Sequence, residues 1–310
     1  MTTEFRVSAW AGAGLTTVAE VTGAVQGAAD SGFDGVWVPQ TLSVDALAAI
    51  AVAASHVPAI HIGSAVVPLQ GRHPFPLAQQ ALTAADAAGP GRFTLGVGVT
   101  HAFVSETFYG FPYRDAVALC REELHALHGL LGPDRKVSIA GKFVVAQVGL
   151  TMQGPSPSLV VAALGPKMLE LAGELSDGTV TWMTGPRTLR TRIVPAISDA
   201  AARAQRGSPR VIAGLPVCVT SDVMAARDAV RPRIQAAAQM PSYRRQLELE
   251  GIDDVAELAI VGDADHVLES ISALGEAGVT ELMADVFGSP DEQDRTRDVL
   301  RHFPRDRGPR

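Results

Sequence analysis

Residues 93–101, FTLGVGVTH, set glycines at 96 and 98 in an apolar run that closes on Thr100 and His101. Glycines two apart suit a backbone that comes close to another group. The third glycine of a dinucleotide fingerprint is missing, and no acidic residue stands at the matching offset. A Rossmann nicotinamide site is therefore not expected. A second stretch, VVAALGPKMLELAGELSDG, begins at Val160 as a buried-strand pattern and runs through Gly165 and Pro166 into an amphipathic helix. Proline suits the first helical turn, where its missing N–H is not needed. The free N–H groups around Leu164, Gly165 and Lys167 would face an anion, with the helix dipole behind them. An ordinary strand-to-helix turn would use the same glycine for geometry alone.

Other chemistries lack their residues. The histidines stand at 56, 61, 73, 101, 125, 128, 266 and 302, which gives no H-x-H and no H-E-x-x-H, so no metal site is expected. Glu122 and His125 form one E-x-x-H, where a di-iron site needs two and more carboxylates, and they read as a solvated helix face. A Schiff-base enzyme needs a lysine at a strand end. The only lysines are Lys136 and Lys142, in an irregular stretch, and Lys167, in a first helical turn. G-x-S-x-G and the P-loop pattern are both absent.

The elements that must position these residues alternate. Short apolar runs fall at 5–10, 35–39, 59–67, 92–99, 158–163, 178–183, 210–219 and 280–286, with helical periodicity in most gaps. Valine-rich strands separated by helices predict βα units and a parallel sheet. Eight units in 310 residues predict an α/β fold of the (β/α)8 TIM-barrel type, a single domain over 1–310. A doubly wound sheet is the alternative, because periodicity does not report closure. Residues 132–157 read as an inserted hairpin and about 238–260 as extra helices, both in loops where barrel enzymes build pockets. Residues 291–310 read as a charged helix that then frays. Trp37 and Trp182, near strand ends, either wall a pocket or fill the core.

Composition narrows the partners. The net charge of −7 comes with no dense Lys/Arg run, which argues against nucleic acid. Two cysteines outside any C-x-x-C fit a reducing, cytoplasmic setting. MTTEFRVSAWAG lacks the basic start and apolar core of a signal peptide. The apolar tract 46–69 is broken at His56–Val57–Pro58 and reads as a buried helix followed by a buried strand, so no membrane association is expected.

Three separated motifs, SAVVPLQGRHPFPLAQQALT, LGVGVTHAFVSETFYGFPY and AALGPKMLELAGELSDGTVTWMTGP, resemble the luciferase-like monooxygenase superfamily. They most resemble its actinobacterial branch of oxidoreductases that use the deazaflavin coenzyme F420. The resemblance implies a cofactor ring across the C-terminal mouth of the barrel. It also implies a non-proline cis peptide in the third strand, which falls here on Ser64–Ala65. The phosphate site falls on Ala163, Leu164 and Gly165. The ring site falls on Thr181 through Thr184, including Met183, and on Gly98, with Gly96 and Gly98 leaving room beneath a flat ring. His101 would stand at the rim, orienting the cofactor or substrate or supplying a proton, a role that suits a group titrating near pH ~6.5. Arg72 would meet the acidic tail of the coenzyme. In the sugar-phosphate dehydrogenase branch a catalytic histidine follows strand two; here Gln40 stands there and cannot act as a base. That departure points to reduction of a small organic substrate rather than alcohol oxidation. An FMN-dependent monooxygenase of the same superfamily and a non-catalytic ligand-binding barrel are the alternatives. The family often dimerises, which leaves a homodimer open.

Overall fold

The computed structural model describes residues 5–304. The strands are β1 (Arg6–Trp10), β2 (Gly35–Val38), β3 (His61–Ser64), β4 (Val67–Pro68), β5 (Phe93–Gly98), β6 (Lys136–Ala140), β7 (Val145–Gly149), β8 (Ser158–Ala162), β9 (Gly178–Trp182), β10 (Arg210–Val219), β11 (Ile260–Gly262) and β12 (Glu281–Val286). The helices are α1 (Val18–Asp30), α2 (Ala46–His56), α3 (Pro74–Ala88), α4 (Ala116–Leu131), α5 (Pro166–Leu175), α6 (Pro186–Thr188), α7 (Val194–Arg203), α8 (Val223–Ala238), α9 (Pro241–Glu250), α10 (Ala264–Glu276) and α11 (Pro290–Arg301).

Parallel pairing runs β12–β1–β2–β3–β5–β8–β9–β10 and returns from β10 to β12, which closes an eight-stranded barrel. The helices surround it, as the alternation predicts. β2 and β5 are buried along their whole length, with side chains meeting the inner core on one side and the helices on the other. Inside the barrel, Trp37, Val160, Val180, Ile212 and Met283 pack together. The helices start on side-chain caps. Thr17 and Glu20 form a reciprocal capping box on α1, and Asp45 accepts the Ala48 N–H at the start of α2.

Two elements depart from the expected pattern. The third apolar run, read as one strand, is split into β3 and β4, and the cis peptide lies between them at Ala65–Val66. It is one residue later than the Ser64–Ala65 bond expected above. β11 was not anticipated: it has only three residues and pairs outside the ring, along β10. The inserted hairpin forms as β6 and β7, paired antiparallel from Lys136–Gly149 to Ala140–Val145. Glu122 of α4 holds its tip by accepting the N–H groups of Lys142, Phe143 and Val144 at 3.0, 2.7 and 2.9 Å. That occupation, rather than a solvated face, accounts for the glutamate of the E-x-x-H pair. α9 and a short 3-10 turn at Val255–Leu258 fill the region of extra helices that follows α8. The C-terminal helix forms as α11, and the fraying expected after it lies largely outside the described residues. Among the described residues no helix is long and apolar enough to cross a membrane.

The N-terminal end of the barrel is closed by polar side chains. Glu281, 1% exposed, accepts from Ser8 Oγ and Trp37 Nε1, both at 2.7 Å, and from Arg210 Nη2 at 2.8 Å. Arg210 also donates to Thr94 Oγ1 at 2.9 Å, and His61 Nε2 lies 3.0 Å from the same oxygen. Burial raises the Glu281 carboxyl, but the Arg210 charge and the two donors outweigh it and hold the pKa below the usual value.

Candidate active site at the C-terminal mouth

A cleft of about 480 Å³ opens at the opposite end, over the C-terminal ends of the strands. That is the end where barrel enzymes carry their chemistry. Its floor is small and apolar: Ala65, Val66, Gly98 and Ala162 rest on the inner barrel core. One wall is aromatic. Trp10 from the end of β1 and Trp182 from the end of β9 pack with centroids 4.9 Å apart. Trp37 does not reach the cleft; it is fully buried and donates to Glu281.

Of the residues singled out from the sequence, His101, Gln40, Ala65 and Gly98 line this cleft, and so do Ala163, Leu164, Gly165 and Thr181. Four do not. Ser64 is fully buried, and its hydroxyl spans β5 by donating to the Gly96 carbonyl at 3.0 Å and accepting the Gly96 N–H at 2.9 Å. Arg72 pairs with Asp45 and donates to Gln80 Oε1, joining the start of α2 to α3. Met183 and Thr184 are fully buried beneath the mouth. Met183 has φ +52°, a left-handed conformation that a side chain disfavours.

Gly96 does not make room for a ring. A Cβ there would lie 1.9 Å from the Ser64 carbonyl oxygen, so its bareness admits the neighbouring strand where that strand bulges. Gly98 serves both purposes: a Cβ would press on Ala162 at 2.9 Å, and its backbone faces the cleft.

At the β8–α5 turn, Gly165 caps α5 with an extended backbone (φ −88°, ψ 153°), no side-chain cap and Pro166 in the first turn. The Gly165 carbonyl accepts from Met168 and Leu169 at 3.1 and 3.0 Å, while the N–H groups of Gly165 and Lys167 meet no backbone acceptor among the described residues. A Cβ on Gly165 would meet nothing within 4 Å, so the space in front of the helix is open. Free donors, open space and an uncapped ten-residue helix fit an anionic group.

Titratable groups at the mouth are mostly neutral. Burial lowers the His101 pKa, so the imidazole is uncharged at neutral pH. Its ring lies 5.8 Å from that of Tyr243, and no side-chain hydrogen bond occupies it among the described residues. Burial pushes the Tyr243 phenol up to about 12. Gln40 Oε1 accepts the Ala46 N–H at 2.9 Å, which commits the oxygen to the start of α2. Its Nε2 has only a 3.4 Å contact to the Thr41 carbonyl and remains a donor for the cleft.

Several wall residues escaped sequence reasoning: Trp10, Arg233 of α8, and Ser242 and Tyr243 of α9. Trp10 carried a usable signal, as the last residue of a barrel strand. The other three reach the mouth only because α8 and α9 fold back over it, which periodicity does not report.

The luciferase-like monooxygenase family model matches residues 1–281. This chain belongs to that family. It is 29% identical to the F420-dependent glucose-6-phosphate dehydrogenase of Beutenbergia cavernae, over 85% of either chain. Among solved structures it is similar to an F420-dependent secondary alcohol dehydrogenase in complex with an F420–acetone adduct, with a TM-score of 0.81, 20% identity and coverage of 97% and 98%. It is also similar to the oxygenating constituent of 3,6-diketocamphane monooxygenase from Pseudomonas putida in complex with FMN, with a TM-score of 0.78, 18% identity and the same coverage. The family and the barrel expected from the three sequence motifs are both borne out, and the chain is an oxidoreductase of this family.

Proposed function

We propose that this protein is a coenzyme F420-dependent oxidoreductase that passes hydride from the reduced deazaflavin to a small organic acceptor. The observation that carries the reading is the combination, in one cleft, of a flat apolar floor with an uncapped helix N-terminus at its edge. Leu164, Gly165 and Lys167 would hold the cofactor's phosphate through backbone N–H groups. Ala65, Gly98 and Ala162 would seat the ring, beside the apolar wall of Trp10 and Trp182. When bound, the deazaflavin supplies hydride chemistry and the protein supplies geometry. Gln40 donates from Nε2 to an acceptor oxygen. His101 at the rim would orient the substrate through a ring N–H; its imidazolium form, which burial disfavours, would give a proton to the heteroatom or carbon beside the reduced centre and return to the neutral imidazole. Gln40 and the resting, neutral His101 are uncharged donors, so they polarise the reacting group of the acceptor without setting a fixed charge beside it.

FMN is the competing cofactor, favoured by the same barrel in an FMN-bound structure. Titration of the purified protein with oxidised coenzyme F420 and, separately, with FMN, followed by cofactor fluorescence, decides between them. Saturable binding of the deazaflavin alone is expected. Binding of FMN alone would move the protein to the oxygen-using side of the family. Binding of neither would overturn the cofactor reading.

A further inference from the structure

The substrate half of the cleft contains one permanent charge that nothing above employs. Among the described residues lining the cleft, Arg233 alone carries a full charge at neutral pH. It sits in α8 directly after Pro232, and its side chain is 44% exposed. One nitrogen, Nη2, is held by Asp285 at 3.0 and 3.2 Å to the two carboxylate oxygens. Nη1 and Nε make no hydrogen bond among the described residues. Asp285, 4% exposed, lines a second cavity of about 500 Å³ and is absent from the cleft wall, whereas Arg233 and Trp10 border both. The carboxylate therefore holds the guanidinium by one nitrogen and leaves Nη1 and Nε without a protein partner among the described residues, on a side chain that lines the cleft.

The position of this cation separates it from the cofactor's phosphate. Gly165 follows β8, and Asp285 lies near the end of β12. Passing β9 and β10 around the ring, they stand three strands apart in a ring of eight, almost opposite across the mouth.

We propose that Arg233 anchors a carboxylate on the substrate, so that the acceptor reduced here is a small organic acid, with Asp285 as the positioning residue. This deepens the oxidoreductase reading and rests on it for the word acceptor. A planar guanidinium with one edge free matches a carboxylate in a fork. A singly charged anion fits better than a phosphate dianion, because Asp285 already offsets part of the cation and no second cation lines the cleft among the described residues. In the second cavity, Arg297 and Asp294 are paired with each other at 2.8 Å, so neither adds free charge.

Benzoate and its neutral counterpart benzamide test this without any turnover. Each is titrated into the protein, with and without bound coenzyme F420, following fluorescence of Trp10 and Trp182 at the cleft wall. Benzoate is expected to bind at least tenfold tighter than benzamide. Arg233→Gln is expected to erase that preference and Arg233→Lys to retain part of it, both leaving coenzyme F420 affinity unchanged. Equal binding of the two probes by the unaltered protein, or failure of both to bind, would overturn the proposal. A loss of coenzyme affinity in Arg233→Gln would overturn it as well, by assigning the arginine to the cofactor. If benzoate discrimination holds while coenzyme F420 does not bind, the anion site stands and the cofactor reading falls.

Discussion

The two ends of this barrel use polar side chains in opposite ways. At the N-terminal end, Ser8, Trp37, Arg210 and Glu281 satisfy one another inside the ring, and a buried carboxylate is kept charged by three donors. At the C-terminal end the groups are left open. His101 and Tyr243 face the cleft without side-chain hydrogen bonds among the described residues, the Ser242 hydroxyl is buried without a partner, and α5 begins with uncapped N–H groups. An unmade hydrogen bond in a buried place costs about 1–3 kcal/mol. One end of the barrel is thus closed by mutual bonds, with the His61 Nδ1 left without a partner among the described residues, and the other keeps several donors free for a ligand. Mutations at the closed end should show in stability and those at the open end in binding and rate.

The largest effect is expected at the closed end. Glu281→Ala strands Arg210 and the Trp37 N–H and should lower stability by about 3–5 kcal/mol, the range for breaking one partner of a buried pair. Chemical denaturation reads this directly, and a loss under 1 kcal/mol would dissolve the contrast. The next effect is pH-dependent. Burial lowers the His61 pKa from 6.5 to about 4, so the unfolded chain binds a proton that the folded chain refuses. Its contribution to stability is intact above pH 6.5 and is lost as pH falls to about 4, on the order of 3 kcal/mol across that window. Asp285, pushed up to about 6 by burial against the opposing pull of Arg233, acts in the opposite sense. Comparison with His61→Gln isolates the first term: the variant should have a flatter stability profile between pH 6.5 and 4.

At the open end, His101→Ala should reduce kcat by about 10²-fold, the usual scale for a positioned proton donor, with cofactor affinity and melting temperature nearly unchanged. Steady-state turnover beside a binding titration checks it. Gly165→Asp sharpens the contrast furthest, because its two effects have opposite signs. The aspartate caps α5 and adds a few tenths of a kcal/mol to stability. The same carboxylate occupies the anion cradle and should weaken coenzyme F420 binding about tenfold or more, ~1.4 kcal/mol. A variant that binds as tightly as the parent would remove the phosphate from this turn.

Much of this contrast could be read from residue order alone. The barrel follows from eight valine-rich runs with helices between them, and the anion turn follows from strand, Gly165, Pro166 and amphipathic helix. What escaped depends on which atoms meet across the fold. Gly96 promised space, but the Ser64 carbonyl of the neighbouring strand fills it. The third apolar run reads as continuous because Ala65 and Val66 are as strand-like in type as their neighbours, so the break was placed one bond early. Arg72 beside a predicted helix start resembled a ligand contact, yet Asp45, 27 residues away, claims it. Arg233 and Tyr243 lie on helices whose own pattern is that of a surface element. Only their return over the mouth makes them part of the site.

The most direct measurement is amide hydrogen exchange, read by mass spectrometry, on the protein with and without coenzyme F420. Added protection is expected in residues 65–68, 98–101 and 163–168, with no change at the N-terminal strand ends around Ser8, Gly35, Arg210 and Glu281. Protection spread over the closed end, or its absence from 163–168, would contradict the assignment of the C-terminal mouth as the cofactor site.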